Sequence, residues 1–308
     1  MLLAAAAAGR RLVAVGERGL VLISDDQGAS WRQAPAPTSV TLTAVRFADE
    51  RHGVAVGHCG MVLLSADAGE TWRAVLDGTR AAALALEAAR AASDTVALRN
   101  AERLVADGAD KPFLDVLTSG ASHTIAVGAY GLAFSSAEPD RNWISWIERL
   151  DNPKALHCCT VRRRGDTIVV AGEQGLLRRS ADAGRTFARI ETPYKGSFFV
   201  LELPSERSIV VAGLRGNVWR SANDGGSWTR ITTPGNASIT ASLPMPDGSV
   251  LLGNQQGMVL RLADDRIEAI DQDALPPINA LASADGRSVT ALTAMGARRL
   301  APGANRKG

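Results

Sequence analysis

The sequence predicts an all-β fold: a seven-bladed β-propeller of four-stranded antiparallel blades with one helical insertion. Three observations carry this reading. An octet, Ser-x-Asp-x-Gly-x-Ser/Thr-aromatic, recurs along the chain; a Gly-x-x-Gly turn recurs in step with it; and short apolar runs flank each turn. Four-stranded units of roughly 40 residues arranged in a ring are what a propeller requires. Leucine-rich solenoids have shorter repeats, and helical repeats lack β-branched runs bounded by glycine turns.

The octet reads SDDQGASW from Ser24, SADAGETW from Ser65, SADAGRTF from Ser180 and SANDGGSW from Ser221, with a worn copy, SAEPDRNW, from Ser136. Successive starts are 41, 71, 44 and 41 residues apart. GERG at 16, GHCG at 57, GAYG at 128, GEQG at 172 and GLRG at 213 keep the same four spacings. Two motifs locked in register define one structural unit.

Taken in order, each unit is a meander of strands A to D. Runs such as LVAV and IVVA before the glycine pair, and LVLIS or MVLLS after it, have strand length and are bounded by turn residues. The glycine pair is then the B–C turn and the octet the C–D turn. In the sixth unit, LLGNQQGMVLRL, Asn254 replaces the first glycine, and asparagine is the next most tolerant residue for a positive φ. The seventh, INALASADGRSVTALTAMGARRL, keeps strands A to C and loses the octet. Residues 2 to 8 serve either as strand A of the first unit or as a strand closing the ring. Residues 1–308 are expected to form one domain, with a frayed polar tail at 301–308.

Within a C–D turn the Ser and Asp oxygens can accept from the turn's own amides, and the closing aromatic can pack on its neighbours. Asp26, Asp67, Asp182 and Asn223, with Trp31, Trp72, Phe187 and Trp228, are therefore expected to be structural: a catalytic residue is needed once, not in blade after blade. No catalytic residue is assigned.

Composition narrows the function classes. A formal net charge of +2 gives no basic excess of the kind a nucleic-acid binder shows. Three cysteines, two of them adjacent, give no disulfide framework. His58-Cys59 and His157-Cys158-Cys159 lack the spacing of a zinc site, so no metal and no cofactor is expected. No apolar stretch approaches the roughly 18 to 20 residues that span a bilayer, and the N-terminal run is too short for an export signal. The arginine runs at 162–164, in an A–B turn, and at 178–179 could take an acidic partner segment or anionic head groups, but are read first as a solvated polar loop.

One stretch breaks the rhythm. The 71-residue gap holds 30 extra residues after strand D of the second unit, and the segment 79–110 has helix composition, ended by Gly108. Leu84, Ala88, Ala91, Thr95 and Leu98 fall on one helical face. The segment is expected to be one helix, or two broken near Ser93-Asp94 with Ser93 capping the second; an Ala/Leu insert of this kind could also pair with a second copy of the chain.

In an up-and-down meander the B–C turns and D-to-A linkers share one face of the disc, opposite the octets. Glu17, Arg18, His58, Tyr130, Glu173, Gln174, Arg215, Gln255 and Gln256 sit at the turn tips, and Tyr194 and Lys195 in a linker, all on the face of the insert. Variable tips on a repeated scaffold are where binding concentrates, so this face is the candidate partner surface.

The rhythm of VAVGERGLVLISDDQGASW and VAVGHCGMVLLSADAGETW resembles the photosystem II stability/assembly factor-like propellers, which carry BNR/Asp-box repeats and include bacterial members outside photosynthesis. The resemblance covers residues 11 to about 235 well and the last two units weakly. It implies a non-enzymatic scaffold for a membrane protein or membrane-complex subunit, acting in the periplasm or at a membrane surface; without a readable export signal, a cytoplasmic placement stays open. The competing expectation is a BNR-type glycan-binding or sialidase-like hydrolase, for which a cluster of arginines and carboxylates at the mouth of the central channel is the discriminating feature. Against it, the Arg-Ile-Pro signature of sialidases is absent and only two tyrosines, Tyr130 and Tyr194, are present.

Overall fold

The computed structural model describes residues 1–120, 123–273 and 275–300; the expected frayed tail at 301–308 lies outside them. Seven antiparallel sheets follow one another along the chain, six running A-B-C-D outward and the seventh A-B-C among the described residues. Blade 1 is Leu2–Ala8, Arg11–Gly16, Val21–Ser24 and Arg32–Ala34; blade 2 is Leu42–Phe47, Gly53–Gly57, Val62–Ser65 and Arg73–Leu76. Blade 3 is Phe113–Ser119, His123–Gly128, Ala133–Glu138 and Asn142–Ser145; blade 4 is Cys158–Arg164, Thr167–Gly172, Leu177–Ser180 and Ala188–Arg189. Blade 5 is Phe198–Glu202, Ile209–Gly213, Val218–Ser221 and Thr229–Ile231; blade 6 is Ile239–Pro244, Val250–Asn254, Val259–Ala263 and Arg266–Ala269. Blade 7 has three strands, Ile278–Ala282, Thr290–Thr293 and Gly296–Arg299.

Each strand A contacts the strand A of the next blade, and that of blade 7 returns to that of blade 1, so the seven line a central axis. Residues 2–8 are thus strand A of blade 1. The ring closes through side chains: Asn279 Nδ2 donates to Leu2 O at 2.8 Å, Thr290 Oγ1 donates to Gln27 O at 3.1 Å, and Leu2, Ala5, Leu12 and Ala14 pack with Ala282 and Leu292.

Apolar clusters fill the seams between blades. Leu42 and Val45 pack toward blade 1, whereas Ala44, Val54 and Val56 pack toward Phe113 and Val116 of blade 3. The alternation of the strands places successive side chains in successive seams, which is why the B strands read as nearly continuous apolar runs.

The octets behave as structural turns. In blade 1, Ser24 Oγ donates to Asp26 Oδ1 at 2.8 Å, Asp26 accepts from Ser30 N and Ser30 Oγ, and Gly28 N donates to Ser24 Oγ at 2.7 Å. Asp67 and Asp182 repeat this set; Asn223 keeps the bonds to Ser221 Oγ and Ser227 N but donates its Nδ2 to Ser227 Oγ at 3.0 Å. Trp31 and Trp72 donate their indole N–H to the carbonyls of Gly28 and Gly69 inside their own octets, while Trp228 donates to Glu191 O in the adjoining linker. Phe187 packs edge-on against Trp146 of blade 3.

The insert is a helical hairpin, α1 (Gly78–Ala92) and α2 (Thr95–Asp107). Its cap differs from expectation: Ser93 is left-handed at φ 53° and ends α1, and Asp94 caps α2 by accepting from Val96 N and Ala97 N. An acceptor two to three residues ahead of those amides is the required geometry. The buried stripe also differs. Ala81, Ala82, Ala85, Ala89, Ala97 and Ala101 are buried, Leu84 and Leu98 lie at the margin, and Ala88 and Ala91 are exposed. Alanine lets α1 lie close on Asn142–Ser145, the outer strand of blade 3, beside Trp143 and Ile147, where leucine would hold it off.

Candidate partner-binding face

Every B–C turn is clamped to the entry of its own strand A. The first residue between the glycines donates its N–H to the carbonyl that precedes that strand: Glu17 to Met1 O, His58 to Thr41 O, Ala129 to Pro112 O, Glu173 to His157 O and Leu214 to Ser197 O, at 2.9 to 3.1 Å. Gln255 to Ser238 O and Ala294 to Pro277 O complete the set of seven. The first glycine of each pair is extended, not left-handed, and serves close approach. A Cβ on Gly172 would stand 2.0 Å from His157 O, and one on Gly57 2.2 Å from Thr41 O. The expectation that Asn254 substitutes through tolerance of positive φ is therefore corrected: its side chain holds the turn, accepting from Gln256 N and Met258 N at 2.9 Å.

Left-handed φ falls on the second residue between the glycines. Arg18, Cys59, Tyr130, Gln174 and Arg215 have φ between 51° and 58°. A non-glycine residue there costs about 1 kcal/mol or more, and none of the five is the Asn or Asp that tolerates it best. The clamp holds these tips projecting from the face. Arg18, Tyr130, Gln174 and Arg215 are exposed, as are Glu17, His58, Gln255 and Gln256.

The structure brings only some of these residues together. On blades 3 and 4, the Tyr130 ring stands edge-on to His157 at 4.9 Å, with Lys111 Nζ 5.1 Å from its centroid. Tyr130 N donates to His157 Nδ1 at 3.1 Å, and the same imidazole nitrogen lies 3.4 Å from Glu173 Oε2. His157 N donates to Glu173 Oε2 at 2.9 Å, which fixes that carboxylate at the base of the cluster. On blade 5, Tyr194 donates its hydroxyl to Leu214 O at 3.0 Å and leans on Phe198; burial pushes its phenol up. Lys195 Nζ turns back to Thr192 O. Glu17 and Arg18 on blade 1, His58 on blade 2, and Gln255 and Gln256 on blade 6 stand apart as separate tips.

Five exposed large apolar residues share this face: Met1 (47% exposed), Tyr130 (57%), Phe199 (38%), Leu214 (38%) and Met295 (73%). Phe199 and Met295 escaped the sequence reading. Met295 was within reach, because TAMG aligns with the glycine turns once the seventh blade is carried through. Phe199 occupies the bulge where strand A of blade 5 shifts register between Phe198 and Val200, and that bulge has no sequence signature. The helical insert joins the face at its rim, where Gly78 lies against Gly60 of the blade 2 turn.

The channel holds a second unforeseen group. Asp115 of blade 3 accepts from Arg162 Nη1 of blade 4 at 2.6 Å, Thr160 Oγ1 at 2.9 Å and Val161 N at 3.1 Å, and Arg46 Nη2 of blade 2 stands 3.6 Å from its other oxygen. Arg162 Nε reaches Glu202 of blade 5 at 3.5 Å, and Glu202 accepts from Ser242 of blade 6 at 2.6 Å. Burial works against ionisation of Asp115, but the guanidinium groups of Arg162 and Arg46 outweigh it and hold the carboxyl below its usual range. These are arginines and carboxylates at the axis, as the hydrolase expectation required, yet two cations and two anions are closed on one another across five blades.

The arginine run at 162–164 is accordingly corrected from a solvated turn to the inner strand of blade 4. Arg163 donates to Gly165 O, and Arg164 donates to Leu203 O and Pro204 O of blade 5. Arg178 is buried against Leu150 O, and Arg179 pairs with Asp224 at 2.9 Å. Among the described residues no cluster of potential metal ligands forms, and no helix is long and apolar enough to cross a membrane.

No protein-family model matches the chain, and no curated protein matches it by sequence. Its shape is similar to solved propellers. A structure described as "YCF48 bound to D1 peptide" superposes with a TM-score of 0.70 at 13% identity, covering 97% of this chain and 92% of that one. YCF48 from Cyanidioschyzon merolae gives 0.65 at 18% identity over 89% and 86%. The WD40 β-propeller domain of Doa1 gives 0.70 at 10% identity over 97% and 91%. At these identities the likeness establishes the fold, and the chain is, in fold, a YCF48-like β-propeller.

Proposed function

We propose that this propeller is a non-enzymatic scaffold whose B–C face docks a segment of a membrane protein or membrane-complex subunit, in the manner of an assembly or stability factor. The observation that carries the reading is the face itself: Tyr130, Phe199, Leu214 and Met295 are exposed on one side of the disc, set among tips that the clamped turns hold in place. Aromatic and methionine side chains anchored on a rigid frame, with polar groups around them, are the composition of a protein-recognition surface. The similarity to a YCF48 bound to a D1 peptide supports a peptide segment as the ligand. A periplasmic or membrane-peripheral setting is part of the proposal. The closed channel network supports the non-enzymatic reading, because glycoside hydrolysis calls for one carboxyl held protonated beside another, whereas Asp115 is held ionised.

The test is affinity capture from detergent-solubilised membranes of the source organism. Three baits are compared: the intact chain, a Tyr130→Ser/Leu214→Ser/Met295→Ser variant, and an Arg207→Ala control on the opposite face. Removing anchors of this kind costs about 2 kcal/mol or more where they are hot spots, a loss of roughly thirty-fold. A membrane protein retained by the intact chain and the control but lost from the triple variant supports the proposal; equal retention by all three defeats it. The insert is not deleted in this test, since its alanine stripe belongs to the core of blade 3.

A further inference from the structure

We propose that the outer edge of blade 7 is a strand-addition site for an extended, acidic segment of a partner protein, separate from the B–C face. Among the described residues, six blades carry a fourth strand and the last strand of blade 7 is Gly296–Arg299. The pairing register shows which groups that edge offers. Thr293 and Gly296 close a two-residue turn, Ala291 pairs with Arg298, and Leu300 N donates to Val289 O at 2.8 Å. In an antiparallel hairpin, residues that exchange bonds with the partner alternate with residues whose N–H and C=O point away. Ala297 and Arg299 are therefore the residues that face outward, and among the described residues no strand pairs with them, which makes this a short edge of the kind that templates strand addition.

The chemistry around the edge selects the occupant. Arg298 and Arg299 are exposed, and their guanidinium groups reach only Ala297 O, at 3.2 Å, and Ser288 Oγ, at 3.3 Å, among the described residues. One of the outward carbonyls is thus met by its neighbour's own side chain rather than by a strand. On the other side of the sheet, Ala297 belongs to the seam with blade 1, where Leu22 and Trp31 are only partly buried. At the next seam the corresponding Trp72 is buried in a cluster that includes Ala34 of the neighbouring outer strand. A fourth strand on blade 7 would present alternate residues to these two sides: acids toward Arg298, and small or branched apolar residues toward Ala297, Leu22 and Trp31.

The probe is a capped peptide of about eight residues alternating Glu with Val, titrated into the full chain up to about 1 mM. Amide hydrogen exchange is read at Ala297 and Arg299. In the free protein both amides should exchange as open groups, and the peptide should slow them. Arg298→Glu should weaken binding at least tenfold, and added salt should weaken it as well. Ala297→Pro removes an outward N–H that the sheet does not use and should abolish binding while leaving the circular dichroism spectrum unchanged; if that variant does not fold, Arg298→Glu decides alone. Absence of binding, binding without protection at Ala297 and Arg299, or affinity indifferent to Arg298→Glu overturns the proposal. So does prior protection of both amides that is lost on truncation after residue 300, which would assign the edge to this chain's own tail.

Discussion

Arg162→Ala removes the central member of the channel network. Its guanidinium is the near partner of Asp115 and also reaches Glu202, and the two carboxylate side chains are only 9% and 7% exposed. The substitution leaves Asp115 with Thr160, the amides of Val116 and Val161 and a longer contact to Arg46, and Glu202 with Ser242. Two buried charges lose their main counter-ion. Breaking a buried pair from one side costs about 3–5 kcal/mol, far above the contribution of an exposed pair. Urea titration followed by tryptophan fluorescence should show the midpoint falling at pH 7 with little change in slope. The pH dependence sharpens the test. In the native protein Asp115 is depressed, so its contribution is present above the unfolded value near 4 and lost as pH falls through the folded value. In the variant burial acts with less opposition and raises Asp115, so protonation favours the fold and the deficit should shrink as pH falls from 7 toward 4. The companion Arg46→Met/Arg162→Met/Asp115→Asn/Glu202→Gln should recover most of the loss, because it removes all four charges of the network together. A deficit below about 1 kcal/mol for Arg162→Ala, or one that grows on acidification, would refute the claim that this network ties the blades together.

Two further outcomes follow from the turns. Gly172→Ala should destabilise blade 4 by about 1–3 kcal/mol, because its Cβ would displace His157 O from the clamp. Gly165→Ala, with φ +57° and open space around it, should cost only about 1 kcal/mol from backbone strain, and urea midpoints compare the two directly. The octets predict acid sensitivity. Asp26 is held at about 2, chiefly by the hydroxyl and amide of Ser30, so its contribution is present at neutral pH and is lost between about 4 and 2. Asn223 shows that an amide can keep the turn, so Asp26→Asn should retain the fold at pH 7 and lessen the acid-induced loss seen in thermal melts from pH 5 to pH 2.

Much of this protein was legible in its sequence because repetition makes local chemistry redundant. Seven units, their strand order, the C–D octets and the displaced helical segment all follow from motifs whose hydrogen bonds close within a few residues. Ser24 to Gly28 is such a case: the same atoms would meet in any ring. The first reading of the insert failed because helical periodicity identifies a face but not its neighbour. Only the approach of α1 to Asn142–Ser145 decides that Ala81, Ala85 and Ala89 turn inward while Ala88 and Ala91 do not. The first glycines were misread for the same reason, since the carbonyl each one accommodates lies some 15 residues away across a sheet. Arg46, Asp115, Arg162 and Glu202 come from four blades, are separated by 40 or more residues, and meet only when the ring closes. Local turns are determined by contacts the chain makes with itself over short distances; the channel network is set by the order in which whole blades become neighbours, which no single stretch of sequence encodes.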